Sequence, residues 1–313
     1  MGVRVAFMGN DPWSVPALRA LVGEPEIDVA LVLTRPPRPG ARTDEPAPTP
    51  VAAEAAALGL PAAELERVGS AAGLAALRAA APEAIVVVAF GELLGPEVLE
   101  LPPLGAVNLH FSLLPRWRGA APVQHAILAG DATTGVTVIR INAGLDTGPI
   151  LASFEEPIRP DDDAGTLGGR LAELGARLLV GVVRRLPSGD LPERPQDPAR
   201  ATLAPRLTAA DRVLRWDESA ERLVRRVRAL APEPGATTVF RGAPLKVLAA
   251  ATSAEAASDA AAGRIVAADD RGVAVAAGEG VVRLLEVAPA GRRRMSAAAW
   301  ARGARFAPDE RLG

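Results

Sequence analysis

Seven consecutive residues, Ala84 to Phe90 (AIVVVAF), carry no polar side chain. A strand with one face in water alternates apolar and polar residues, so an unbroken apolar run of this length predicts a central strand covered on both faces. Such a strand needs helices on either side of its sheet, and the neighbouring sequence supplies them. Val3–Met8 and Ile27–Thr34 predict further strands, and Asp11 or Ser14 can cap a helix running through Leu21. Helical patterns follow at 51–58 and 71–80, then a strand at Ala106–His110, a helix at 119–129, a strand at Val136–Ile141 and a long amphipathic helix at 166–185. Alternating strands and helices predict an α/β domain with a mostly parallel, Rossmann-like sheet. The Pro-rich stretch 35–50 reads as a surface loop.

The pattern changes at Pro187. Residues 187–205 contain five prolines and no periodicity, the composition of a linker. Beyond them, one helix at Ala220–Leu230 precedes short β-rich runs at 237–240, 245–250, 263–267, 273–276 and 281–287, which suggest a small barrel. The expected organisation is a first domain at 1–186, a linker at 187–205 and a C-terminal β-barrel domain at 206–313.

The chain has no cysteine, which excludes disulfides and thiolate catalysis, and its two histidines, His110 and His125, lack ligand-type spacing, so no metal is expected. No apolar run approaches the roughly 18 residues of a membrane helix, and the first residues do not read as a secretory signal. A cytoplasmic location is expected. The net charge of −2 hides an asymmetry. Residues 1–205 hold 17 Arg against 24 acidic residues, whereas 206–313 hold 18 basic against 13 acidic ones. A basic C-terminal third is either an ordinary solvated surface or the footprint of a polyanion.

In an open α/β sheet, ligands bind beyond the carboxyl ends of the strands. Three such ends are chemically loaded: Gly91-Glu92, Asn108-Leu109-His110 and Asn142-Ala143-Gly144-Leu145-Asp146-Thr147-Gly148. Period two puts Asn108 and His110 on one face of their strand, and the Gly-flanked loop can bring Asp146 to meet them. His110 could also be a satisfied structural histidine, and Asp146 an ordinary turn residue. A Ser112–His110–Asp146 triad is conceivable, but no G-x-S-x-G elbow is present. The glycine-rich phosphate motifs are absent too.

The run Asn108-Leu109-His110-Phe111-Ser112-Leu113-Leu114-Pro115-Arg116-Trp117-Arg118-Gly119-Ala120-Ala121-Pro122-Val123-Gln124 resembles the methionyl-tRNA formyltransferases, as do Gly135-Val136-Thr137 and Gly144-Leu145-Asp146-Thr147-Gly148. The N-x-H-x-S-L-L-P run with a later D-T-G marks the wider folate-dependent formyltransferases; the R-W-R-G-A-A-P-x-Q continuation is narrower. The likeness extends from Val5-Ala6-Phe7-Met8-Gly9 to Arg225–Pro232, Pro289-Ala290-Gly291 and Met295-Ser296-Ala297.

The resemblance implies a Rossmann-like formyltransferase domain and an OB-like barrel, 10-formyltetrahydrofolate as donor, and the amino group of methionyl initiator tRNA as acceptor. It implies that Asn108 and His110 bond the formyl oxygen while Asp146 orients His110 and helps move protons. Ser112, Leu113, Leu114 and Pro115 would line the folate site, with Val88, Phe90, Gly91, Leu93, Asn142 and Gly144 in loops holding the pterin. Arg42, Arg225, Arg292, Arg293 and Arg294 would meet the tRNA, with Arg222, Arg226 and Arg228 as further candidates. No DNA or membrane partner is expected, and the chain should act as a monomer. The family's basic loop is altered here, because Thr43-Asp44-Glu45 follows Arg42 and puts carboxylates where phosphates would approach. That loop favours one competing reading, a formyltransferase for a small amine such as a sugar nucleotide; the other is a folate-binding module without turnover.

Overall fold

The computed structural model describes residues 2–39, 46–255, 260–307 and 309–313, with the side chains of 38, 39 and 46 outside the description. The chain forms two compact units, one of residues 1–122, 133–157 and 168–205, the other of 123–132, 158–167 and 206–313.

The first unit is built on seven strands: β1 (Val3–Gly9), β2 (Ile27–Thr34), β5 (Ala62–Glu64), β6 (Ala84–Val88), β7 (Ala106–His110), β8 (Thr133–Arg140) and β9 (Ile150–Pro157). The two-residue strands β3 (Arg38–Pro39) and β4 (Pro46–Ala47) pair only with each other. The order is β5-β2-β1-β6-β7-β8-β9, parallel as far as β7 and antiparallel over β8 and β9. Strand order reverses between β1 and β6, so a crevice opens beyond the carboxyl ends there. Helices α1 (Val15–Val22), α2 (Pro50–Ala57), α3 (Ala71–Ala80) and the short α4 (Pro96–Leu99) connect the parallel strands. Thr49 and Ser70 cap α2 and α3 through their hydroxyls, accepting from Ala52 N–H and Gly73 N–H.

Every residue of β6 is buried, as the apolar run predicts. The strand stops at Val88 rather than Phe90 because Ala89 adopts a left-handed backbone, φ +45°. Strand β9 escaped the sequence reading because it lies at the edge, pairs only with β8 in the sheet, and leaves half of its residues exposed. The segment 187–205 does not run free of the first unit: Arg194 pairs with Ile150, and Leu203 with Arg118.

The second unit takes helices α5 (Pro122–Ala129) and α6 (Ala164–Arg185) in part, α7 (Ala220–Leu230) and α8 (Ala297–Ala304). The helix expected from 119 starts at Pro122, since Gly119 is at φ +124° and Ala121 N–H is bonded to Ala204 C=O. Its strands are β10 (Ala236–Phe240), β11 (Ala243–Ser253), β12 (Ile265–Asp269), β13 (Gly272–Ala276), β14 (Val281–Pro289) and β15 (Met295–Ser296). They form an antiparallel sheet in the order β10-β11-β14-β13-β12, with β15 on β14. Residues 311 and 312 close the gap between its edges. Arg311 pairs with Arg264 ahead of β12, and Leu312 pairs with Phe240 at the end of β10. Leu223, Val227, Val247, Val275, Leu284 and Trp300 fill the core, and Trp300 stacks edge-on against Phe240 and Phe306 at 5.0 and 5.1 Å.

The closure is pinned by Glu310, which takes a two-pronged contact from Arg241 (Nε to Oε1 2.9 Å, Nη2 to Oε2 2.6 Å) and a hydrogen bond from Ala307 N–H. The Arg241 guanidinium, with the Ala307 amide behind it, pulls the Glu310 carboxyl down from 4.5 to about 2. A carboxyl depressed by folding stabilises the fold above its unfolded pKa and loses that effect as pH falls through the folded one. Glu310→Gln should therefore lower Tm at pH 7, with the gap to wild type shrinking below about pH 4.5 and gone near pH 2. A gap of constant size from pH 7 to 3 in thermal melts would contradict this.

Candidate active site

Asn108 and His110 stand two residues apart at the carboxyl end of β7, next to the switch crevice, and both reach Asp146. Asn108 Nδ2 donates to Asp146 Oδ1 at 3.3 Å. His110 Nδ1 faces Asp146 Oδ2 at 3.6 Å. Gly119 N–H donates to the same Oδ2 at 2.9 Å. The other imidazole nitrogen, Nε2, lies 2.9 Å from the carbonyl of Trp117. A carbonyl can only accept, so Nε2 carries a proton and Nδ1 is the nitrogen turned toward Asp146. His110 is buried, whereas Asn108 is half-exposed and keeps one amide N–H for a ligand.

The loops that hold these groups are strained where they turn. Asp146 and Trp117 are non-glycine residues at φ +50° and +65°, and Gly119 follows at +124°. Such conformations collect at functional sites, where the surrounding contacts determine them. At the base of the 142–148 loop, a Cβ on Gly148 would lie 1.7 Å from the Arg140 carbonyl. Asn142 Oδ1 accepts from Gly144 N–H (3.0 Å) and Thr147 Oγ1 (2.8 Å), so Asn142 braces this loop.

Other residues expected at a ligand take varied positions. Ser112 is fully buried and donates to Arg116 C=O at 2.6 Å, while Thr137 Oγ1 bonds Ser112 C=O and Leu114 N–H. Leu113 and Pro115 are half-buried and Leu114 is buried. Val88 and Phe90 are buried, Gly91 is exposed at φ +76°, and Leu93 is 67% exposed. Asn10 carries no motif, yet it ties the crevice together. Its Nδ2 donates to Phe90 C=O (2.6 Å), and its Oδ1 accepts from Thr34 Oγ1 (3.0 Å) and Arg35 N–H (2.7 Å). Its place just after β1, at the switch point, was the available signal. Gln196 and Thr202 also touch the site, but the Pro-rich composition around them reads only as linker.

In the second unit Arg292, Arg293 and Arg294 are exposed, and Arg294 pairs with Glu286. Arg225 pairs with Glu221 at 3.5 Å, and Arg222 is exposed. Arg226 and Arg228 are committed inward, to Glu218 and to the carbonyls of Asp162 and Arg159. His125 is half-buried on α5. Arg42, with Asp44 and Glu45, lies outside the described residues. Among the described residues, no group of three His, Asp or Glu is placed to hold a metal ion.

The family model of the formyl transferases matches residues 3–183, and that of their C-terminal domain matches 206–305. The chain is 46% identical to the methionyl-tRNA formyltransferase of Thermus thermophilus, over 99% of both sequences, and it belongs to that family. Two solved structures share the fold. HypX from Aquifex aeolicus in complex with tetrahydrofolic acid (17% identity, TM-score 0.68) matches 96% of this chain, which spans about half of it (47%). An N-formyltransferase from Helicobacter canadensis, in complex with folinic acid and dTDP-3-aminofucose, matches 91% of this chain and 99% of its own (15% identity, TM-score 0.63).

Gly119 couples the two loops, since its amide bonds Asp146 and an added Cβ would meet Ala204 O at 2.7 Å. Gly119→Ala should destabilise the protein by on the order of 1–3 kcal/mol, through backbone strain and that clash, read as a lower urea midpoint. An unchanged midpoint would mean that the loop has room to relax.

Proposed function

We propose that this chain transfers the formyl group of 10-formyltetrahydrofolate to the free amino group of methionyl initiator tRNA, in the cytoplasm, at the start of translation. The observation that carries the chemistry is the convergence of Asn108, His110 and Asp146 with no serine, threonine or cysteine nucleophile among them. Asn108 is tied to Asp146 through one N–H and offers the other, and His110 is anchored through Nε2, which leaves Nδ1 for chemistry.

In this reading the acceptor amine attacks the formyl carbon directly. A C–N bond forms to the amine, and the carbonyl electrons move onto oxygen. Asn108 donates its free N–H to that oxyanion, with His110 Nδ1 and Asp146 beside it to move protons. The attacking nitrogen loses a proton toward Asp146. Collapse re-forms the C=O and breaks the bond to N10 of the folate, which takes up the proton that Asp146 received. The exposed leucines Leu93 and Leu145, on loops flanking the polar groups, give an apolar ligand ring surface to cover. The folate assignments for Ser112–Pro115, Val88, Phe90, Gly91, Leu93, Asn142 and Gly144 belong to the same proposal. Ser112 and Asn142 would act there by shaping the loops.

His110→Ala and Asp146→Asn should each lower formyl transfer by roughly 10²–10³-fold, with folate affinity within a few-fold of wild type. Turnover and folate binding measured side by side test this, and near wild-type turnover in either variant would sink the assignment.

We further propose residues 1–186 as the catalytic part, 187–205 as the connection and 206–313 as the tRNA-binding part. The basic balance of 206–313 and the exposed Arg292–Arg294 run favour this. Replacing Arg292, Arg293 and Arg294 by Ala should raise KM for charged tRNA and leave KM for folate unchanged. It should also flatten the salt dependence by roughly 0.7–0.9 for each phosphate that is no longer neutralised. An unchanged salt slope would remove this run from the interface. Faster transfer to a free amino-sugar nucleotide than to charged tRNA would favour a small-amine enzyme.

A further inference from the structure

The loops carrying Trp117 and Asp146 are both held by residues between the two family-model matches. Gln196 Nε2 donates to the carbonyls of Asp146 (2.8 Å) and Gly148 (2.7 Å). Its Oε1 accepts from Nε (3.0 Å) and Nη2 (2.7 Å) of Arg118. Two donor hydrogens and two acceptor sites are the full capacity of a primary amide, and Gln196 uses all four on these two loops. Six residues later, Thr202 Oγ1 accepts from Trp117 N–H at 2.9 Å. The main chain adds Arg118 N–H to Thr202 C=O (2.8 Å), Ala204 N–H to Arg118 C=O (2.7 Å) and Ala121 N–H to Ala204 C=O (3.1 Å). The two catalytic groups are thus gripped from behind: the peptide that receives His110 Nε2 belongs to a residue fixed by Thr202, and the backbone that carries the Asp146 carboxylate is fixed by Gln196.

We propose that Gln196 and Thr202 are positioning residues for formyl transfer, setting the His110–Asp146 geometry from outside the sheet. This rests on the formyl-transfer reading for the reaction, though not for the geometry. Trp117 and Asp146 sit in left-handed backbone, a region that non-glycine residues occupy at a cost, so without their hydrogen-bond partners both would relax toward commoner conformations. That relaxation moves a carbonyl off Nε2 and a carboxylate off Nδ1. Displacements of about 1 Å at a reacting centre can cost about 10²-fold in rate.

Two near-isosteric changes isolate the effect. Gln196→Glu keeps the acceptor for Arg118 but turns an oxygen on the Asp146 and Gly148 carbonyls, and Thr202→Val deletes the acceptor for Trp117 at constant shape. Each should lower kcat by about tenfold or more, with KM for the folate donor within twofold, and Thr202→Ser should restore kcat. Because the chain holds two histidines, the imidazole NMR signals provide a second readout. Those of His110 should shift in both variants, while those of His125 stay. A lower Tm with kcat within twofold of wild type, or unmoved His110 signals in folded protein, would overturn the proposal. If the wild type itself transferred no formyl group, the reaction assigned above would fall, and the His110 signals alone would decide the positioning claim.

Discussion

The convergence of Asn108, His110 and Asp146 depends on one hydrogen bond, from His110 Nε2 to the carbonyl of Trp117. Because a carbonyl has no proton to give, the bond fixes which imidazole nitrogen is protonated as well as where the ring points. Nδ1 is then the nitrogen that meets Asp146, and the carboxylate meets Asn108 and the Gly119 amide at the same time. Reversing the ring would lose the carbonyl, and withdrawing the carboxylate would leave two donors without an acceptor. An arrangement held by the protein's own groups is the condition under which fixed dipoles favour a transition state most.

The backbone carries the cost of this arrangement. Ala89, Trp117 and Asp146 all adopt left-handed conformations, in the loops that follow β6, β7 and β8. Positions of this kind cost of order 1–3 kcal/mol apiece. They persist because the strands they extend from are held firmly. All of β6 and all of β7 but Asn108 are buried, and Ser14 Oγ, also buried, donates to the last carbonyl of β6 at 2.7 Å. Strain at the rim is offset by packing in the middle.

Much of this was legible in the sequence. The unbroken Ala84–Phe90 run led to a covered central strand, and two-residue spacing put Asn108 and His110 on one face, where both reach Asp146. Other features carry no local signal. Alanine has no preference for the left-handed region, so nothing in the sequence marks Ala89 as the end of β6. The edge strand β9 leaves Phe154, Glu155 and Glu156 unlike any alternating pattern. Gln196 and Thr202 act through partners some fifty to eighty-five positions away, a distance at which composition and periodicity say nothing. Their surroundings read as a connection because prolines remove regular structure, although an irregular backbone can still pack closely.

The barrel of the second unit is completed by a stretch near residue 311, which lies between partners at 240 and 264. Partners some seventy positions apart make a non-local contact, which forms late in folding relative to local ones. During synthesis, a nascent chain that had already exposed β10 to β14 would leave Phe240 at the end of β10 and Arg264 ahead of β12 without these partners until residues 310–313 emerged. Unpaired edges invite pairing with other chains. For this protein, then, the interval between making β14 and making the residues that seal the barrel is a window of vulnerability, and its length is set by the pace of elongation rather than by the stability of the finished fold.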